Sequence, residues 1–94
     1  MSEQVLFTTT ASKQMRRAPH YITEKLLNWA REVEIFGIET VRKHKGYHDE
    51  PLKGKRRGER SIRLNSQWRA IYCLAGDGSI LIYVLEVTPH DYKK

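Results

Sequence analysis

The sequence predicts an α+β fold from three observations. A strand-like segment at residues 5–10 is followed by a long amphipathic helix, and three further strand-like segments occupy residues 61–64, 67–75 and 79–87. Between the two halves runs a glycine-containing polar stretch, residues 46–58.

Each element has a local reason. Val5, Leu6, Phe7, Thr8, Thr9 and Thr10 are β-branched or aromatic with one exception, which favours an extended strand, and Thr10 or Ser12 is suited to cap a following helical turn. Pro19 fits the first turn of the main helix. Ile22, Leu26, Trp29, Val33 and Phe36 follow at alternating steps of four and three, which gathers them on one face. Gly37 suits a helix stop, and a short helical piece is expected over residues 38–43. Gly46, Pro51, Gly54 and Gly58 then break helical structure and predict an exposed loop. The last two strands are joined by the turn signal Gly76-Asp77-Gly78 and are expected to be antiparallel. Ile80-Leu81-Ile82-Tyr83-Val84-Leu85 is apolar on both faces, as expected of a central strand.

The register of one hairpin can be read directly. A three-residue loop at Asn65-Ser66-Gln67 places Leu64 opposite Trp68, Arg63 opposite Arg69 and Ile62 opposite Ala70. Ile62, Leu64, Trp68, Ala70, Tyr72 and Leu74 then share the core face, while Arg63 and Arg69 share the other. Two opposed arginines repel one another unless an anion sits between them, and guanidinium groups grip phosphate with paired donors.

At 94 residues the chain, 1–94, is expected to form a single domain near the lower size limit for a lone hydrophobic core. Apolar residues make up 39% and charged residues 30%, a globular rather than disordered composition. Seventeen Lys and Arg against eleven Asp and Glu give a charge of +6, which favours polyanionic partners. That charge is concentrated: Lys53, Lys55, Arg56, Arg57 and Arg60 fall in one short stretch opposed only by Glu59. The lone Cys73 excludes an intrachain disulfide, fits a reducing compartment, and is expected to pack rather than react. The first residues lack a basic start and a long apolar run, so a cytoplasmic protein with no membrane association is expected. His44 and His48 stand four apart, but Gly46 between them weakens the helix a metal pair would need, and no metal is expected. The C-terminus, His90-Asp91-Tyr92-Lys93, supplies an imidazole, a carboxylate and a phenol, groups able to exchange protons or stack on a base.

The segment 50–58, Glu50-Pro51-Leu52-Lys53-Gly54-Lys55-Arg56-Arg57-Gly58, is followed by Arg60-Ser61-Ile62-Arg63-Leu64 and Gln67-Trp68-Arg69-Ala70-Ile71-Tyr72. With the terminal Asp91-Tyr92, this pattern resembles the RelE/ParE toxin superfamily, and most of all its HigB-like branch of messenger-RNA-cutting toxins. The resemblance spans nearly the whole chain, by motif in the C-terminal half and by element order before it. It implies helices on one face of a twisted, mainly antiparallel sheet, with a concave opposite face that holds RNA. It also implies a type II toxin–antitoxin system, with cleavage of messenger in the ribosomal A site, beside ribosomal RNA, through the RNA's own 2′-hydroxyl. No cofactor or metal is implied. The implied partner is a helix-turn-helix, HigA-like antitoxin.

By the same resemblance Arg69 matches the strand arginine that holds the scissile phosphate and Lys53 the loop lysine, with Arg63 nearby by alternation. Glu50 or His90 is expected as the base and Tyr92 or His90 as the leaving-group partner, with His48 able to substitute for Glu50. Lys55, Arg56, Arg57, Arg60, Arg63, Asp91 and Lys93 complete the expected RNA-contacting set. Two other functions fit the charge. One is a ParE-like inhibitor of DNA gyrase, which has no need of acid–base groups beside a phosphate grip. The other is a non-catalytic RNA- or ribosome-binding module.

Overall fold

The computed structural model describes residues 3–75 and 81–89. In chain order these form β1 (Gln4–Phe7), α1 (Thr9–Arg17), α2 (His20–Phe36), α3 (Ile38–Arg42), β2 (Glu50–Pro51), β3 (Glu59–Arg63), β4 (Trp68–Leu74) and β5 (Leu81–Pro89), with 3₁₀ turns at Lys45–Tyr47 and Gly54–Arg56. The strands make one sheet in the order β1-β5-β4-β3-β2. β1 lies parallel to β5, and the other pairs are antiparallel. No described helix is long and apolar enough to cross a membrane.

The first strand is shorter than expected, because Thr8 and not Thr10 or Ser12 caps α1. Its hydroxyl accepts from the Ala11 N–H at 3.1 Å, so Thr9 and Thr10 are already helical. A threonine run satisfies strand and cap preferences equally, and the cap goes to the residue where the β1 ladder ends. α2 starts after Pro19 and stops at Gly37, whose φ of 89° is open to glycine but strained for other residues.

Ile22, Leu26, Trp29 and Val33 are fully buried against the sheet residues Ile62, Leu64, Ala70, Tyr72, Ile82, Val84 and Val87. The Trp29 and Tyr72 rings meet at 5.2 Å between centroids. Phe36 is 61% exposed, contrary to its helical spacing: the chain turns at Gly37, and Ile38 and Val41 of α3 fill the core instead. Leu74, also expected inside, is 42% exposed at the last residue of β4, where it borders a cleft with Arg42 and Pro51. Within the expected loop 46–58 the structure adds the short strand β2 and buries Tyr47.

One irregularity sets which side chains face outward. Opposite the Ile71–Tyr72 step, the register of β5 jumps from Glu86 to Val84, so Leu85 is an extra residue, a β-bulge. Strict alternation from Ile82 and Val84 would send Glu86 into the core; the bulge turns Glu86 outward and Val87 inward. Side chains near and on α1 satisfy the backbone around it: the Thr8 hydroxyl donates to the Leu85 carbonyl at 3.1 Å, and the Val87 N–H donates to Gln14 Oε1 at 2.7 Å. Thr8→Val, which keeps the shape but removes cap and donor together, is expected to lower stability by about 1–2 kcal/mol in urea unfolding.

Candidate nucleic-acid interface

Cross-strand partners project to the same side of a sheet, so the register defines its outer face, turned away from the helices. One row reads Glu50, Ser61, Ile71, Glu86; a second reads Arg63, Arg69, Thr88; a third reads Glu59, Cys73, Tyr83. The hairpin register therefore forms as the sequence predicts, with Arg63 directly opposite Arg69. Arg63 is exposed and Arg69 half-buried, and neither has a hydrogen bond or ion pair among the described residues. Glu50 sits one row and one strand from Arg63, a diagonal neighbour at about 7–8 Å between backbones. Its carboxylate is half exposed and lies 3.9 Å from His48 Nε2.

The basic stretch separates into three groups. Lys53, Lys55 and Arg57 are exposed around the 3₁₀ turn, bracketed by Gly54 and Gly58, whose φ values of 67° and 95° favour glycine. Arg56 is tied down: its Nε donates to Glu59 at 2.6 Å and its Nη2 to Glu86 at 2.9 Å. These two hydrogen bonds raise the guanidinium's affinity for its proton above the ordinary value. Glu59 pairs with Cys73 and Glu86 with Ile71, so Arg56 straps the loop across the outer face of β4. Burial and the neighbouring Glu59 raise the Cys73 thiol pKa, which makes it a poor nucleophile and agrees with a packing role.

Arg60 does not join this face, a departure from its expected role in contacting RNA. It pairs across from Tyr72 on the helix side, where its Nε donates to Asp49 Oδ1 at 2.6 Å. Burial works against its charge, and the Asp49 hydrogen bond and charge more than offset that, so it holds its proton more firmly than usual. The Tyr72 hydroxyl donates to the other Asp49 oxygen, also at 2.6 Å, and the Asp49 side chain is only 1% exposed. Sequence reasoning missed this Asp49 clasp and the Glu59–Arg56–Glu86 strap. A signal for the first was present: the hairpin register, continued to Arg60 and Tyr72, puts both on the core face, where a buried phenol needs an acceptor.

Tyr47 and Tyr72 both have phenol pKa values raised by burial, then by their carboxylate partners Glu32 and Asp49. A raised folded-state value means that the stability these groups contribute is complete below the unfolded value of about 10 and is lost as pH rises above it. Urea unfolding from about pH 9 to about pH 11 should show stability falling above pH 10, approaching about 1.4 kcal/mol per pH unit for each phenol. The slope should lessen in Tyr47→Phe. The remaining expected site residues, His90, Asp91, Tyr92 and Lys93, and the turn Gly76-Asp77-Gly78 lie outside the described residues; β5 ends at Pro89, paired with Trp68 beside Arg69.

No family model and no curated protein sequence matches the chain. Solved structures do. The chain superposes with a TM-score of 0.75 on YafQ from E. coli strain BL21(DE3), at 19% identity over 94% of this chain and 93% of that one. It superposes at 0.73 on a chain of the archaeal RelE–RelB complex from Pyrococcus horikoshii OT3, at 19% identity over 98% of this chain and 99% of that one. Against a chain of the toxin–antitoxin complex RelBE2 from Mycobacterium tuberculosis the score is 0.70, at 20% identity over 96% of this chain and 100% of that one. The chain therefore has the fold of the RelE/ParE-type toxins, over essentially its full length.

Proposed function

We propose that this chain is the toxin of a type II toxin–antitoxin pair, and that it acts as a ribosome-dependent endoribonuclease on messenger RNA. The carrying observation is the Arg63–Arg69 pair, opposed on the sheet's outer face with no carboxylate among the described residues to separate the charges. A phosphate between them converts a repulsion into two charge-assisted contacts. Glu50 on the same face and the polar tail after Pro89 supply candidate proton-transfer groups.

In the reaction this reading implies, Glu50 or His90 takes the proton from the RNA 2′-hydroxyl, whose oxygen attacks the adjacent phosphorus. Arg69 and Lys53 stabilise the charge on the pentavalent phosphate. Tyr92 or His90 protonates the departing 5′-oxygen, leaving a 2′,3′-cyclic phosphate and a 5′-hydroxyl. No step requires a metal. Lys55, Arg57, Arg63, Asp91 and Lys93 contact the flanking RNA or ribosomal RNA, whereas Arg56 holds the loop in place.

The HigB-like branch and a helix-turn-helix antitoxin rest on the Pro51-Leu52-Lys53 motif and on the arginine-bearing strands β3 and β4. Mapping the 5′ ends of cellular transcripts during controlled expression tests the reading. New 5′-hydroxyl ends inside translated frames, absent with Arg69→Ala, support it. Intact transcripts with DNA damage select gyrase inhibition, and binding to ribosomes without scission selects a binding module.

A further inference from the structure

A second cleft opens beyond the β2 edge. It has a volume of about 380 Å³ and is lined by Arg42, Lys43, His44, Lys45, His48, Asp49 and Glu50. Three of these carry fixed positive charge and two more are imidazoles. The nearby carboxylates do not balance them: Asp49 is consumed by Arg60 and Tyr72, Glu50 stands at the rim toward His48, and the exposed Glu39 meets only Arg42 among the described residues, at 3.6 Å.

The imidazoles are placed by the backbone. His44 Nδ1 accepts the Gly46 N–H at 3.1 Å, which in the neutral ring leaves the proton on Nε2 as a free donor. A Cβ at Gly46 would meet the His44 ring at 3.0 Å, so glycine is what lets the turn close under it. His48 adopts φ 50°, the one left-handed non-glycine residue among those described. Arg42 Nε is buried without a partner among the described residues, while its Nη1 lies 3.6 Å from Glu39. A metal ion would be repelled by Arg42, Lys43 and Lys45, whereas an anion would be attracted by all three.

Resting on the function proposed above, we infer that this cleft is a second phosphate subsite, which holds a backbone phosphate and ribose of the RNA flanking the cut. Glu50 belongs both to this cleft and to the outer-face row beside Arg63, so a strand held at Arg63 and Arg69 reaches the cleft by crossing β2. Its lining offers lysine, arginine and imidazole donors and no Phe, Tyr or Trp ring, a set suited to the phosphate and ribose of the backbone.

The test uses RNA made uncleavable by 2′-O-methylation, as a dinucleotide and as a hexanucleotide, with binding followed by fluorescence anisotropy over a range of salt. Lys43→Glu/Lys45→Glu should weaken hexanucleotide binding at least about tenfold and reduce the salt slope by about 0.7, as loss of one single-strand phosphate contact requires. Dinucleotide binding should not change. Arg16→Glu/Arg17→Glu, an equal charge change at the end of α1, should leave both unchanged. Equal weakening by the two double variants, or an unaltered hexanucleotide affinity in Lys43→Glu/Lys45→Glu while Arg69→Ala loses it, overturns the subsite and leaves the nuclease reading standing. A wild-type protein that binds neither oligonucleotide also overturns the subsite, whereas the nuclease reading falls only if transcripts stay intact during expression.

Discussion

Arg69→Ala is expected to slow the proposed messenger cleavage by about 10²–10³-fold while leaving the protein as stable as before, or slightly more so. The rate loss is that of removing one preorganised charge from a phosphoryl transition state, about 3–4 kcal/mol. The stability effect has the opposite sign because Arg69 faces Arg63 without a counter-charge among the described residues. Directly opposed like charges cost a few tenths of a kcal/mol, and the substitution relieves them. Cleavage rates on programmed ribosomes and urea midpoints on the same preparations check both halves. A variant that loses activity and unfolds early would mean that Arg69 holds the fold and not the substrate.

Asp49→Ala should cost about 3 kcal/mol of stability, the scale for breaking a buried charge pair by deleting one partner. The carboxylate is 1% exposed and takes both the Arg60 Nε–H and the Tyr72 O–H. Its loss leaves a guanidinium and a phenol partly buried with nothing to accept from them. Asp49→Asn, which keeps one acceptor oxygen, should fall between wild type and alanine. Because Asp49 directly precedes Glu50 and pins β2 to the hairpin, residual activity in Asp49→Ala should also fall at temperatures where the variant remains folded. Urea unfolding of both variants, alone and combined with Tyr72→Phe, measures the coupling; additive effects of Asp49→Ala and Tyr72→Phe would show that the clasp does not act as a unit.

Local patterning in the sequence determined the element order, the α2 face through Val33, the stop at Gly37 and the β3–β4 register. Periodicity and turn chemistry fix these within a few residues of one another, so no distant contact is needed to read them. The opposed arginines were legible for the same reason. The family resemblance added the expectation of a RelE/ParE-type fold, which the superpositions bear out.

Tertiary structure decided what depended on residues far apart in the chain. Phe36 lies on the apolar face by spacing, but the turn at Gly37 and the packing of Ile38 and Val41 leave it in solvent. Arg56, Arg57 and Arg60 look alike in a run of cations, yet one straps the loop to Glu86, one is exposed to solvent, and one is held inside by Asp49. The bulge at Leu85 reverses the alternation of β5 and brings Glu86 to the face where Arg56 can reach it. Its backbone groups are satisfied by Thr8 and Gln14, more than 70 positions away. Charge and periodicity are properties of a segment and can be read from it, whereas the partner of a buried polar group is a property of the closed fold.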